Sequence, residues 1–129
     1  PHLEVSLKVE PEAECVLADK DRMTQVFVNI LENAARYNDK EKPTCNVRSE
    51  KIDDSVVISF SDNGIGVSEK HLSKIFDSFY QVDMGSGRKV GGTGLGLSIC
   101  RGIMAAHGGK IWAEQNPKGG TVFKISLSL

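Results

Sequence analysis

Cysteine is scarce in the 129-residue sequence, which contains only Cys15, Cys45 and Cys100. Their number is odd, and none has the Cys-x-x-Cys or Cys-x-x-His spacing that is typical of structural zinc sites. The three histidines are far apart in sequence, which argues against a metal cluster. A disulfide framework and a zinc site are therefore not expected, and the cysteines are predicted to be small buried hydrophobic side chains in a reducing compartment.

An excess of charge of one sign is also missing, since the formal net charge is -1 and the sequence pI is about 6.4. This balance of charges creates no net electrostatic field that would attract the backbone of a nucleic acid or an anionic bilayer. Contact with either is therefore not expected. No apolar run is long enough to cross a membrane, and no charged-then-apolar leader is present, so the chain is expected to be soluble. The length fits one domain, residues 1–129, that buries about two thirds of its unfolded surface.

Hydrophobic periodicity predicts an order of strands and helices that is typical of an α+β domain. Leu3 to Val9 alternates apolar and polar residues as a strand does, and Asp19 or Asp21 offers an N-cap for a long helix that ends near Tyr37. The other predicted elements follow in chain order: a weak strand at 45–49, a strand at 55–61, a short helix at 68–76 capped by Ser68, a mobile glycine-rich lid at 81–92, a helix at 92–107 stopped by Gly108 and Gly109, and a hairpin at 110–127.

The long helix has two different faces at about 100° per residue. The predicted core face carries Met23, Phe27, Ile30, Leu31 and Ala34. The opposite face carries Gln25, Asn29, Glu32, Asn33 and Arg36. Because asparagine is a poor helix former, Asn29 and Asn33 on one ridge suggest a binding role, with an ordinary solvated face as the alternative.

Two glycine-rich stretches could bring a ligand close to the backbone. Asp62-Asn63-Gly64-Ile65-Gly66 follows a buried strand; a plain turn is the simplest interpretation, but the helical pattern after it excludes a simple hairpin. Gly92 to Gly96 runs into a helix N-terminus, where free backbone N–H groups suit a phosphate, although packing or flexibility explains such a loop equally well. A P-loop and a dinucleotide fingerprint are excluded by the residues around it.

Together, the asparagine ridge, the carboxylate beside glycines, the phosphate loop and the basic lid describe a site for a magnesium nucleotide. These stretches also resemble the characteristic boxes of sensor histidine kinases. Residues 29–37 resemble the N box, 62–66 the G1 box, 76–80 the F box and 92–97 the G2 box, in the family's order. The resemblance spans nearly the whole chain. It implies a two-layer α+β sandwich of Bergerat type, in which helices cover one face of a mixed, mostly antiparallel sheet and a mobile ATP lid lies beside them.

The resemblance also implies roles in binding the adenine base. Asp62 would accept a hydrogen bond from the adenine amino group, which distinguishes adenine from guanine. Gly64 and Gly66 would let the base approach, and Tyr37 would place its ring against it.

For the phosphates, the resemblance implies that Asn33 is the Mg²⁺ ligand, supported by Asn29, and that Arg36 is a basic contact; these three residues would be the catalytic ones. Arg88 or Lys89 would supply a mobile cation for the γ-phosphate. The phosphate loop and lid hinge would be Gly92, Thr93, Gly94, Leu95 and Gly96. The implied cofactors are ATP and Mg²⁺.

The implied reaction is transfer of the γ-phosphoryl group to a histidine. Related ATPases such as the type II topoisomerases carry a glutamate where Asn29 stands, and an asparagine cannot act as a general base, so hydrolysis is disfavoured. No histidine here stands in the family's acceptor motif, which makes the dimerisation domain of the same kinase and a downstream response regulator the implied partners. The domain would be cytoplasmic, in a kinase that can be anchored in a membrane. A non-catalytic nucleotide-binding module and a serine kinase of the anti-sigma-factor type are the alternatives.

Several neighbouring residues carry weaker signals. Phe76, Phe79 and Tyr80 are predicted to be core anchors at the root of the lid, because closely spaced aromatic side chains usually belong to the core. Glu32 is not expected to act as a base, and His107 is predicted to be a helix-end residue.

Overall fold

The computed structural model describes residues 3–9, 18–80 and 96–129. Its elements are β1 (Glu4–Val9), α1 (Lys20–Arg36), β2 (Thr44–Ile52), β3 (Ser55–Asp62), α2 (Gly96–Ala106), β4 (Lys110–Gln115) and β5 (Thr121–Ser128). The strands form one sheet in the order β1-β2-β3-β5-β4, in which β1 is parallel to β2 and the other pairs are antiparallel. The predicted mixed, mostly antiparallel α+β fold is confirmed. The predicted lid at 81–92 lies outside the described residues.

Alternation along the strands explains why the helices cover one face of the sheet. In β5, every second residue from Thr121 to Leu127 is buried. Phe60 on β3 lies opposite Val47 and Phe123 on the neighbouring strands, and all three side chains belong to the core. The core therefore forms between this face and the two helices.

Helix α1 begins where the sequence predicts, because the Asp19 side chain accepts a hydrogen bond from Arg22 N–H at 3.1 Å. The five predicted core residues of α1 all belong to the core or pack against it, but the prediction left out Val26, which has no exposed surface. The reason is α2, which packs beside α1 and turns Val26 into a core residue. His107, predicted as a helix-end residue, follows α2 and accepts a hydrogen bond from Asp19 N–H at 3.1 Å.

The predicted helix at 68–76 is wrong in extent. Only Glu69–His71 forms a single 3-10 turn, the Ser68 side chain makes no capping bond, and consecutive turns follow. Ile75 and Phe76 are buried in the core, so tertiary packing rather than helix geometry holds this short segment.

Helix α2 ends at the predicted glycines. Gly108 has a φ of 68°, and the N–H groups of Gly108 and Gly109 donate to Ala105 O and Met104 O, which is the Schellman pattern. Within α2, Ile99 is 41% exposed, whereas Cys100 is fully buried. The core face of α2 is therefore rotated towards α1.

We expect Gly109→Ala to lower the free energy of unfolding by about 2–3 kcal/mol, because overpacking against rigid groups costs this much. A Cβ atom at Gly109 would lie 2.2 Å from Ser126 O on β5. The matched control is Gly102→Ala at an exposed position of α2, where nothing lies within 4 Å and alanine should add about 1 kcal/mol. Urea unfolding of both variants measures the difference, and equal effects would contradict this packing account.

Two further sequence predictions concern thiols and membrane spans. Cys45 and Cys100 are free and buried, as predicted, and Cys15 lies outside the described residues. Within residues 3–9, 18–80 and 96–129, no helix is long and apolar enough to cross a membrane.

Candidate nucleotide-binding site

A cavity of about 550 Å³, open to solvent, lies between the helices and the end of β3. Its lining is mostly apolar and includes a few polar side chains: Asn33, Tyr37, Asp62, Ile65, Gly66, Val67, Ile75, Tyr80, Leu97, Thr121 and Phe123.

Asp62 is the buried carboxylate of this cavity and is only 6% exposed. Its Oδ1 atom accepts hydrogen bonds from Gly64 N–H at 2.9 Å and from Thr121 N–H at 3.0 Å. Burial raises the pKa of Asp62 above its ordinary value of 3.8, and these two hydrogen bonds oppose that rise. The backbone thus fixes one carboxylate oxygen, and none of the described residues donates to the other.

The loop after Asp62 is joined to the end of α1. Ile65 N–H donates to Tyr37 O at 3.0 Å, and a Cβ atom at Gly64 would lie 2.4 Å from that same carbonyl oxygen. The Asn63 side chain accepts from Thr44 N–H at 2.9 Å and from the Asn38 amide at 2.8 Å. These contacts bring Tyr37 and Asp62, which sequence analysis placed together, to the same end of the cavity.

The turn between β4 and β5 supports Asp62 from the other side, and sequence analysis treated it only as a hairpin turn. Asn116 Nδ2 donates to Asp62 O at 3.1 Å. Gly120 packs so closely that a Cβ atom there would lie 2.2 Å from the same oxygen. The Asn-Pro-Lys-Gly-Gly sequence predicts the turn, but nothing local in it predicts this contact with residue 62.

The two asparagines of α1 lie where the helix faces the start of α2. Asn33 Nδ2 donates to Asn29 O at 3.0 Å, and Asn29 Nδ2 donates to Gly96 O at 3.3 Å. Asn33 lines the cavity, whereas Glu32 and Arg36 on the same predicted face are exposed to solvent. Gly66 also lines the cavity, and Gly96 contacts Asn29 through its carbonyl oxygen.

The Asn33 side chain fits the implied Mg²⁺ ion. Its Nδ2 atom is engaged with Asn29 O, which leaves the Oδ1 atom without a donor among the described residues. Among the described residues, no three His, Cys, Asp or Glu side chains are grouped so that they could hold a metal ion by themselves. One amide oxygen together with nucleotide phosphates and waters is a suitable ligand set for Mg²⁺.

The remaining predicted phosphate contacts precede α2 in the sequence. Arg88, Lys89, Gly92, Thr93, Gly94 and Leu95 lie outside the described residues. Of the predicted phosphate loop, only Gly96 is described, at the first position of α2.

The three aromatic side chains of residues 76–80 have different environments. Phe76 is in the core, with its ring centroid 6.3 Å from that of Phe123. Phe79 was predicted to be a core anchor, but this is wrong: it is 72% exposed, because a φ of 65° turns the chain outward there. Tyr80 lines the cavity, and its hydroxyl is hydrogen-bonded to His71 Nδ1.

The apolar walls of the cavity were not identified from the sequence. Ile65 and Val67 alternate with the glycines of the loop, which is a weak signal for a lining position. Phe123 comes from the last strand, and no sequence signal separates it from the other core residues.

Comparisons with family models, curated proteins and solved structures all point to the same family. The model of the histidine kinase-, DNA gyrase B-, and HSP90-like ATPase family matches residues 18–129. The sensor protein kinase WalK of Staphylococcus haemolyticus is 44% identical over 110 residues, which are 84% of this chain and 18% of WalK. The chain thus spans about a fifth of the length of this curated relative.

Solved structures agree with this result. A nucleotide-free catalytic domain of histidine kinase ThkA has a TM-score of 0.81 and 33% identity, covering 98% of this chain and 80% of that one. ThkA in complex with response regulator TrrA has a TM-score of 0.69 and 31% identity, covering 96% and 34%. Full-length ShkA in complex with AMPPNP has a TM-score of 0.81 and 28% identity, covering 97% and 25%. The chain therefore belongs to the histidine kinase-, DNA gyrase B- and HSP90-like ATPase family, and within it is a catalytic domain of the sensor histidine kinase type.

Proposed function

We propose that this domain binds Mg-ATP and donates its γ-phosphoryl group to a histidine on a separate dimerisation domain, as part of two-component signalling. The observation that carries the proposal is the buried Asp62 carboxylate, which has one oxygen fixed by Gly64 and Thr121 and the other left for a ligand in the cavity. A fixed acceptor in an apolar cavity suits the amino group of adenine.

Base selection follows from the direction of this hydrogen bond. Adenine presents an amino donor to Asp62, whereas guanine presents a carbonyl oxygen at the same place. A buried carboxylate that faces a carbonyl leaves both acceptors without a donor, which costs about 10- to 100-fold in affinity. The Tyr37 side chain beside Asp62 and the apolar walls of Ile65 and Val67 suit the faces of a planar base.

The phosphates are proposed to lie towards Asn29, Asn33 and the start of α2. Asn33 Oδ1 would hold Mg²⁺, which supplies charge neutralisation to the phosphates when it is bound. Arg36, one turn further along α1, would add a positive charge at the exposed rim. The N-terminus of α2 adds a favourable dipole end for negative charge.

Transfer rather than hydrolysis is favoured by the side chain at position 29. An asparagine whose amide nitrogen donates to Gly96 O cannot take a proton from water. The domain would then contribute orientation and electrostatic stabilisation to the transfer.

The acceptor is proposed to come from elsewhere because the described histidines are already engaged. His71 is hydrogen-bonded to the Tyr80 hydroxyl, and His107 bonds both Asp19 N–H and Ile103 O. The partners would be a dimerisation domain of the same kinase and, as the ThkA complex with TrrA illustrates for that protein, a response regulator in the cytoplasm.

The test is to incubate the domain with γ-labelled ATP and the acceptor hairpin of a WalK-type kinase, then to compare acid and alkali stability of the label. We expect label on the hairpin that is lost in acid and kept in alkali, as for phosphohistidine. A hairpin with its acceptor histidine replaced by glutamine is the control. Acid-stable label would indicate a hydroxyl acceptor, and ATP binding without any label would indicate a regulatory module; either result would overturn the proposed transfer.

A further inference from the structure

We propose that Asn116, on the turn between β4 and β5, is a positioning residue that sets the preference of this site for adenine. The inference rests on the proposed recognition of adenine by Asp62. Asn116 is 54 residues from Asp62 in the chain, is not among the residues that line the cavity, and contacts Asp62 through its side-chain amide.

Asp62 lies at the end of the pairing between β3 and β5. Pairing between β3 and β5 stops at Ser61 and Val122, one residue before Asp62. Asp62 is still paired with Cys45 on β2, but its main chain is no longer paired with β5, and a buried carbonyl group without a donor is costly. On the side of the β4–β5 turn, Asn116 Nδ2 donates to Asp62 O at 3.1 Å.

The neighbours of Asn116 determine the orientation of its side-chain amide. Lys118 N–H can only donate, and it donates to Asn116 Oδ1 at 3.1 Å. Asp62 O can only accept, so Asn116 Nδ2 must face it. The Asn116 side chain therefore links the turn to residue 62, and its amide oxygen and nitrogen are both hydrogen-bonded.

The same turn also holds the side-chain carboxylate of Asp62. Asn116 N–H donates to Gly120 O at 3.1 Å, which closes the turn, and the next residue, Thr121, donates its N–H to Asp62 Oδ1. Asn116 thus holds the Asp62 main chain while the turn it closes holds the Asp62 side chain. Both contacts limit where the free carboxylate oxygen can lie.

A mutation that removes only the donor separates positioning from folding. Asn116→Asp keeps an oxygen for Lys118 N–H but places a carboxylate oxygen against Asp62 O, so the turn can form while Asp62 loses its support. Asn46→Asp is the matched control: its side chain is exposed on another strand and accepts from the Ser6 hydroxyl, which a carboxylate also can do. Asn116→Ser is a second variant that adds no charge and has no amide to reach Asp62.

The experiment measures affinity by calorimetry for ATP and for purine riboside triphosphate, which lacks the exocyclic amino group. We expect Asn116→Asp and Asn116→Ser to lower affinity for ATP by about tenfold and to leave affinity for the purine analogue nearly unchanged, because one supported hydrogen bond is lost. Asn46→Asp should keep the ratio of the parent chain. Far-UV circular dichroism of each apo protein checks that it is folded.

The outcomes separate the two proposals. If the parent chain prefers ATP to the analogue but both Asn116 variants keep that preference, or lose affinity for the two ligands equally, Asn116 does not position Asp62 and the inference is overturned. If the parent chain binds neither nucleotide or does not distinguish them, adenine recognition by Asp62 is itself overturned.

Discussion

Replacing Asp62 by asparagine is expected to lower affinity for ATP by about 100-fold, because a charged acceptor is lost and an amide donor faces the adenine amino group instead. The oxygen of the new amide could still accept from Gly64 and Thr121, whose N–H groups are fixed by the backbone and therefore set the orientation of the amide. Calorimetry with ATP measures the change. An affinity within threefold of the parent chain would show that the base does not bind at Asp62.

Stability provides the control for this variant. Burial raises the pKa of Asp62 in the folded state. At neutral pH the ionised carboxylate therefore lowers the free energy of unfolding, and this loss of stability becomes smaller as pH falls through the folded-state pKa. The Asp62→Asn substitution removes this cost, and the melting temperature at pH 7 should stay equal or rise.

Affinity of the parent chain for ATP should fall as Asp62 is protonated, and the variant should lack this component of the pH profile.

Replacing Asn33 by alanine is expected to reduce phosphotransfer at limiting Mg²⁺ by about 100-fold, because the proposed ion loses its protein ligand. The measurement is the rate of hairpin labelling as a function of Mg²⁺ concentration. Raising the concentration should restore part of the rate, since the phosphates still bind the ion.

Two comparisons make the Asn33 result specific. Binding of ATP in EDTA should be nearly the same in the variant and the parent chain, because base recognition does not involve Asn33. Asn46→Ala removes an exposed asparagine on the sheet and should leave the Mg²⁺ dependence unchanged. If Asn33→Ala labels the hairpin with the parent's Mg²⁺ dependence, the ion is bound by other groups.

The elements that sequence analysis predicted well are those with strong local signals. Asp19 caps α1, Gly108 and Gly109 end α2, and alternation defines β5, because each of these depends on residues within a few positions. The segment after Ser68 lacks such signals, so its burial depends on distant core residues, and the predicted helix is reduced to one turn.

The candidate site was predictable in part. Asn29 and Asn33 stood out because asparagine is a poor helix former, whereas the roles of Asp62 and Tyr37 followed from the resemblance to the boxes of sensor histidine kinases. The structure brings Asn33, Tyr37 and Asp62 to one cavity. Asn116 and Thr121 act on Asp62 from the last hairpin, and their contacts depend on strand order, which no short segment encodes. The position of Phe79 depends on a left-handed backbone conformation that is rare for a bulky residue.

The hydrogen bond from Thr121 to Asp62 also has a consequence for the order of events during synthesis. The two residues are separated by 59 positions, and Thr121 belongs to the last strand. At about 5–20 residues per second, translation delivers Thr121 roughly 3–12 s after Asp62. A nascent chain would therefore expose its helices and first strands before the adenine site exists, and nucleotide could stabilise the domain only after the final strand has left the ribosome.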